Sequence, residues 1–298
     1  MVSQDRALKE RTCCAVSERR YVIKQDFLPP SKLKFKILAP SFAEVPSTFV
    51  RTTIDRAEHA KMMSDVQRLR GDVYREYGPI AARLSSDGRH RQSIDPVSWH
   101  ILMEDENGKI AACSRYRDIQ NGFDQLGASS SALAFSQKYG GLLRMAVEDQ
   151  ISHAHRCKIQ YGEAGAWALR PEIRCSSAAI NSVLMTFALA EQLGGGLGIT
   201  TATTRHHSAS ILRRLGGHSL GGLPAYYDPA YGCVIEIIHF NSALLNRQYM
   251  ARVEKLKAEL HGIEVICPIT SDCIDSHNFP MQPFRVDPYG AAVSCLVQ

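Results

Sequence analysis

The chain has 298 residues, of which 45% are hydrophobic and 22% charged, and a formal net charge of +5. That balance suits a globular protein of one large domain or two small ones with a real core. It excludes a membrane-spanning helix, since no window approaches roughly 18 uninterrupted apolar residues. It also argues against a nucleic-acid module, because the positive charge is mild and dispersed.

The N-terminal segment is basic but has no apolar run, so no secretory signal is read there. Nine cysteines occur without a CxxC pair. They read as reduced thiols in a cytoplasmic protein rather than as disulfides or a zinc site.

Residues 1–32 are polar and end in Pro29-Pro30, which reads as an extension. "KLKFKILAP" (32–40) alternates apolar and basic residues and predicts a half-buried strand. From Asp55 to Tyr77, Met62, Val66, Leu69 and Val73 recur at helical spacing, with Gly78-Pro79 as the stop. "SWHILMEDENGKIAACSRYRD" (98–118) places two apolar runs around Asn107-Gly108 and predicts a hairpin with a type I′ turn. Residues 120–140 read as loop, and Leu143 to Arg156 as a helix. "IQYGEAGAWALRP" (159–171) is a strand closed by Pro171.

Ile180, Val183, Leu184 and Phe187 then define a buried helix that starts near Ser176 or Ser177 and stops at Gly194-Gly195-Gly196. "GITTATT" (198–204) is a strand, 207–217 a short helix, and 223–240 two strands around Asp228-Pro229. Ser242 to His261 is an amphipathic helix, and the residues beyond carry four prolines and no clear period. The expected division is therefore an extension (1–32), one domain (33–262) and a C-terminal tail (263–298). The fold class is α/β (α+β): a mixed sheet flanked by helices.

The stretch "RPEIRCSSAAINSVL" (170–184) carries the main functional signal. A strand ends at a proline; an arginine and a cluster of small residues then start a helix. First-turn N–H groups lack intrahelical partners and carry partial positive charge, so such a helix start binds phosphates. Small side chains let a pyrophosphate approach the backbone, and Arg174 adds a charge-assisted contact. Taken alone, the same serines also read as a plain N-cap.

The order of elements around this stretch resembles the GCN5-related N-acyltransferase superfamily. Its phosphate-binding motif reads Arg174-x-x-Ser177-x-Ala179 here, with Ser177 where the superfamily has glycine. The resemblance covers roughly 35–240. It implies a mostly antiparallel sheet splayed at an acyl-thioester site, and acyl-CoA or acyl-phosphopantetheine as donor, held by Arg174, Cys175, Ser176, Ser177, Ala178 and Ala179. It also implies a backbone N–H near Leu169 that polarises the thioester carbonyl.

Two strands narrow the resemblance. "GEAGAWAL" and "AACSRYRD" are similar to strands of acyl-homoserine lactone synthases, with Ala166 where that family has an arginine. "LPAYYDPAYGCVIEIIHF" is similar to N-acyl amino acid synthases, which take acyl groups from acyl carrier protein.

Amide formation needs a deprotonated amine, a polarised carbonyl and a protonated leaving thiolate. Glu163 is the expected general base, sharing a strand face with Tyr161 and Trp167 by alternation. Arg115 is expected to hold an acceptor carboxylate by a bidentate fork, Trp167 to line the substrate, and Tyr227 to protonate the thiolate.

The adjacent His206-His207 pair is poor metal-ligand spacing, and no metal is expected. The expected activity is N-acyl transfer, of a medium or long chain, to a small amine such as an amino acid. An autoinducer-type lactone synthase and a non-catalytic module that senses CoA or a carrier protein are the alternatives.

Overall fold

A computed structural model describes residues 33–269 apart from 42, 43, 77, 121, 175 and 206. Cys175, the expected N-terminal extension and most of the expected tail therefore lie outside the described residues.

Ten strands form one sheet in the order β2-β10-β1-β3-β4-β5-β6-β9-β7, with β8 paired to β9. The strands are β1 (Lys34–Leu38), β2 (Thr52–Ile54), β3 (Trp99–Glu104), β4 (Ile110–Asp118), β5 (Gln160–Leu169), β6 (Gly195–Thr203), β7 (His218–Ser219), β8 (Tyr226–Asp228), β9 (Cys233–Asn241) and β10 (Glu264–Cys267). Only β1/β10, β10/β2 and β5/β6 run parallel. The helices are α1 (Arg56–Arg75), α2 (Gly140–Arg156), α3 (Ala178–Gln192), α4 (Ser208–Arg214) and α5 (Arg247–Leu260). The mixed, mostly antiparallel sheet is the architecture expected from the sequence.

Three apolar clusters set the layers. Val183, Leu184, Met185 and Leu189 of α3 join Leu212 of α4 and Leu256 of α5 on one face. On the other face, Met62, Val66 and Leu69 of α1 pack on Leu38, Leu102 and Cys113. Leu143, Val147 and Ile151 of α2 pack beside them on Tyr161, Leu197 and Ile237. α1 starts where the sequence indicates, with Asp55 accepting the Glu58 N–H at 2.9 Å as its N-cap.

Four local expectations change. First, the β3–β4 turn has only Gly108 at positive φ (+73°), not both central residues. Asp105 Oδ1 accepts the N–H groups of Asn107 and Lys109, and this side-chain cap favours a three-residue loop ending on an αL glycine. Second, Gly195 and Gly196 belong to β6 rather than to the helix stop. Third, the expected tail starts too early: Val265 and Ile266 are buried, and β10 lies between β1 and β2. Fourth, β1 is not half-buried at its end, because the strands on both sides and helices on both faces cover Ile37 and Leu38.

The feature that positions the site is a parting of β5 from β6. The two pair only from Gln160↔Gly195 to Glu163↔Ile199. Beyond that, β5 stays with β4 and β6 stays with β9. Glycines stand at the root of the split: a Cβ on Gly198 would lie 2.5 Å from the Gly162 carbonyl oxygen. Above the root, β5 bulges. Cys113 pairs with Ala168 and Arg115 with Gly165, so Ala166 and Trp167 together oppose Ser114. Ala166 adopts φ +52°, the left-handed conformation that such a bulge needs.

Candidate active site

The split opens a cavity of about 950 Å³ that passes through the sheet and meets helices on both faces. Its α3/α4 arm is largely apolar: Val183, Phe187, Ile211, Leu212 and Phe240 line it. Arg174 and Ala179 of the phosphate-type lip line the same cavity. Arg174 donates from Nε to the Leu169 carbonyl (3.2 Å) and from Nη1 to Glu76 (3.4 Å), which ties the lip to the end of β5 and to α1. Ser176 Oγ donates to the Ile173 carbonyl at 2.7 Å and accepts the Ala178 N–H at 3.1 Å. The first turn of α3 is therefore pinned just where the sequence expects an anion.

The bulge overturns the expected face of Trp167. Alternation alone puts it with Glu163; the extra residue reverses it. Trp167 Nε1 instead donates to Ser182 Oγ of α3 at 2.8 Å, in the apolar arm. The bulge expected near Leu169 lies at Ala166–Trp167, and Leu169 itself is in regular register with Ala112.

The opposite arm is polar, and its centre is a buried ion network. Asp95, which is 1% exposed, accepts from Arg70 Nη1 (2.8 Å) and Nη2 (2.5 Å), Gln67 Nε2 (3.1 Å), the Gln92 N–H (3.0 Å) and Arg115 Nη1 (3.3 Å). Burial opposes ionisation of Asp95. The hydrogen bonds and charge of Arg70 override it and hold the carboxyl well below its usual range. Arg115 also donates to Gln92 Oε1 at 2.6 Å. Burial lowers the pKa of Arg115 against the pull of Asp95. His90 and His100 border the network, and burial pulls both down to about 4, so both are neutral near pH 7.

Glu163 lines this arm, but its carboxylate is committed. Oε2 accepts from Arg117 Nε (3.0 Å) and Nη2 (2.7 Å), and Oε1 accepts the Gly127 N–H (2.7 Å). The carboxylate expected to act as general base is thus the ion-pair partner of Arg117.

The expectation for Tyr227 also changes. It is 60% exposed and does not line the cavity, because β8 alternation turns Tyr226 and Asp228 inward and Tyr227 outward. Tyr231, in the β8–β9 turn, lines the cavity instead. Its hydroxyl lies within electrostatic reach of Asp228, Arg115, Arg83 and Glu163, and burial raises its pKa.

The residues missed in the sequence are therefore Arg70, Gln92, Asp95, Arg117, Asp228 and Tyr231. One signal was readable. Arg115 and Arg117 sit two apart on one face of a largely buried strand, and two buried arginines call for carboxylates near them. No group of His, Cys, Asp and Glu able to hold a metal occurs among the described residues. Among them, too, no helix is long and apolar enough to cross a membrane.

This split sheet with a helix start at its lip is the fold of the GCN5-related N-acyltransferases. The solved structures it resembles include a CoA-dependent acyl-homoserine lactone synthase, BjaI, with a TM-score of 0.50 and 13% identity over 81% of this chain and 98% of that one. Also similar are FeeM, an N-acyl amino acid synthase from uncultured soil microbes (TM-score 0.44, 9% identity, 71% and 91% of the chains), and a mosquito arylalkylamine N-acetyltransferase like 5b (0.43, 14%, 70% and 99%). No family model and no curated protein matches the sequence.

Proposed function

We propose that the chain is an N-acyltransferase. It moves a medium or long acyl group from CoA or acyl carrier protein to the amine of a small acceptor that carries a carboxylate, such as an amino acid. One observation carries this reading: the β5–β6 split joins an apolar arm at the α3 lip to a polar arm centred on Arg115. Donor and acceptor thereby meet at the bulged backbone of β5.

The pantetheine arm lies in the split beside Trp167, with its phosphate at Arg174 and the 176–179 turn. The thioester carbonyl sits against the bulge. Arg115 holds the acceptor carboxylate. Its fit rests on charge: Arg70 and Arg115 share the one carboxylate of Asp95, while Arg117 is paired with Glu163.

A lactone synthase is the second reading. It is favoured by Arg115 lying on the strand that resembles that family and sharing a buried carboxylate with Arg70. That reaction requires S-adenosylmethionine, and simple N-acylation does not.

The test is native mass spectrometry with a ladder of acyl-CoA and acyl carrier protein thioesters, followed by an amine screen with and without S-adenosylmethionine. Retention of a thioester and amine-dependent thiol release are expected. If no thioester is retained, residues 174–179 form a helix cap only and the reading fails.

A further inference from the structure

Amine acylation at this site leaves one role vacant. The acceptor arrives as an ammonium ion and must lose a proton, and Glu163 is locked to Arg117. Two other carboxylates line the cavity; Glu191 is ion-paired with Lys257 at 2.9 Å, which leaves Asp228. Asp228 ends β8, is 4% exposed, and lines the cavity beside Tyr231. Its Oδ1 accepts the N–H groups of Ala230 (2.8 Å) and Tyr231 (3.3 Å), which fixes the side chain in the turn. No hydrogen bond to its Oδ2 is present among the described residues. No arginine or lysine forms an ion pair with Asp228 among the described residues, so taking a proton strands no cation.

Resting on the acyltransferase reading, we infer that Asp228 is the catalytic carboxylate that receives the acceptor's amine, with Tyr231 as its partner in proton transfer. Asp228 Oδ2 takes one proton from the ammonium group and later returns it to solvent. The free amine attacks the thioester carbon, a C–N bond forms and the C–S bond breaks. Tyr231 gives its hydroxyl proton to the departing sulfur and takes the second proton lost by nitrogen. The products are an amide, a thiol and the proton released by Asp228.

A turn aspartate with a purely structural role predicts a different outcome for Asp228→Asn, because Asn keeps the Oδ1 acceptor and the turn. The experiment uses the full chain, decanoyl-CoA and decanoyl acyl carrier protein as donors, and the common amino acids as acceptors. Thiol release, thioester affinity and melting temperature are measured for the wild type, D228N, D228E and Y231F. The expected result for D228N is a fall in kcat of about 100-fold or more, the range of general-base removal, with thioester affinity and melting temperature unchanged. D228E is expected to recover part of the rate, and Y231F to lose about 10-fold or more, toward the low end of that range. Wild-type turnover that D228N leaves within a factor of about three, far short of a general base, overturns the assignment alone. A wild type that retains thioester but transfers to no amine overturns the acyltransferase reading, and the assignment with it.

Discussion

Replacing Asp95 by Asn keeps the shape of the side chain and removes its charge. In the native protein that charge faces the fully buried Arg70 at 2.5 and 2.8 Å and Arg115 at 3.3 Å. Removing one member of a buried ion pair costs about 3–5 kcal/mol, chiefly because the partner stays buried and uncompensated. Two guanidinium groups share this carboxylate, so the cost belongs at the upper part of that range. At roughly 2–4 °C per kcal/mol for a domain of this size, a cost of about 4–5 kcal/mol lowers the melting temperature by roughly 8–20 °C.

Urea unfolding and thermal scans by circular dichroism at neutral pH measure it. The folded carboxyl titrates below its unfolded value of about 3.9. Its stabilisation is therefore complete above that pH and is lost as the pH falls toward the folded value. The gap between wild type and variant should narrow in that acid range. A difference under about 1 kcal/mol at neutral pH, the size of an exposed pair, would refute the reasoning.

Three further outcomes are expected. His90 and His100 have pKa values lowered to about 4 by burial, against about 6.5 unfolded. Between those values the unfolded chain binds more protons, so the urea midpoint should drop as pH falls from 6.5 toward 4, and His90→Asn should flatten that slope. Ala166→Gly should stabilise by up to about 1 kcal/mol, because glycine adopts φ +52° without the Cβ penalty, partly offset by its unfolded-state entropy; a destabilised variant would show that the bulge is not strained. Trp167 lines the donor arm while Trp99 is buried in the core. Adding acyl-CoA should change tryptophan emission in Trp99→Phe and not in Trp167→Phe.

The candidate lip was legible because it is local. A strand end, a proline, an arginine and a run of small residues are neighbours in sequence, and the structure joins them to the cavity through Arg174 and Ala179. Arg115 was legible through its strand. Its support was not, because Asp95 lies 20 residues away and Arg70 a further 25. Glu163, expected as the general base, lines the cavity. Its engagement with Arg117 depends on the β4–β5 register, which pairs those two residues across the ladder. Trp167, which lines the cavity from the other face than expected, and Tyr227, which does not line it, differ from the reading for opposite reasons. A bulge broke the alternation expected for Trp167, whereas alternation held at β8 and turned Tyr227 to solvent.

Periodicity and punctuation in the chain determined by themselves the helices, most of the strands and the order that marks the fold. Those signals are short-range consequences of backbone geometry and of burying one face. The parting of β5 from β6, the insertion of β10 between β1 and β2, and the pairing of Glu163 with Arg117 were decided only in three dimensions. Each depends on pairing between segments far apart in sequence, and a one-residue change of register reverses which side chains meet.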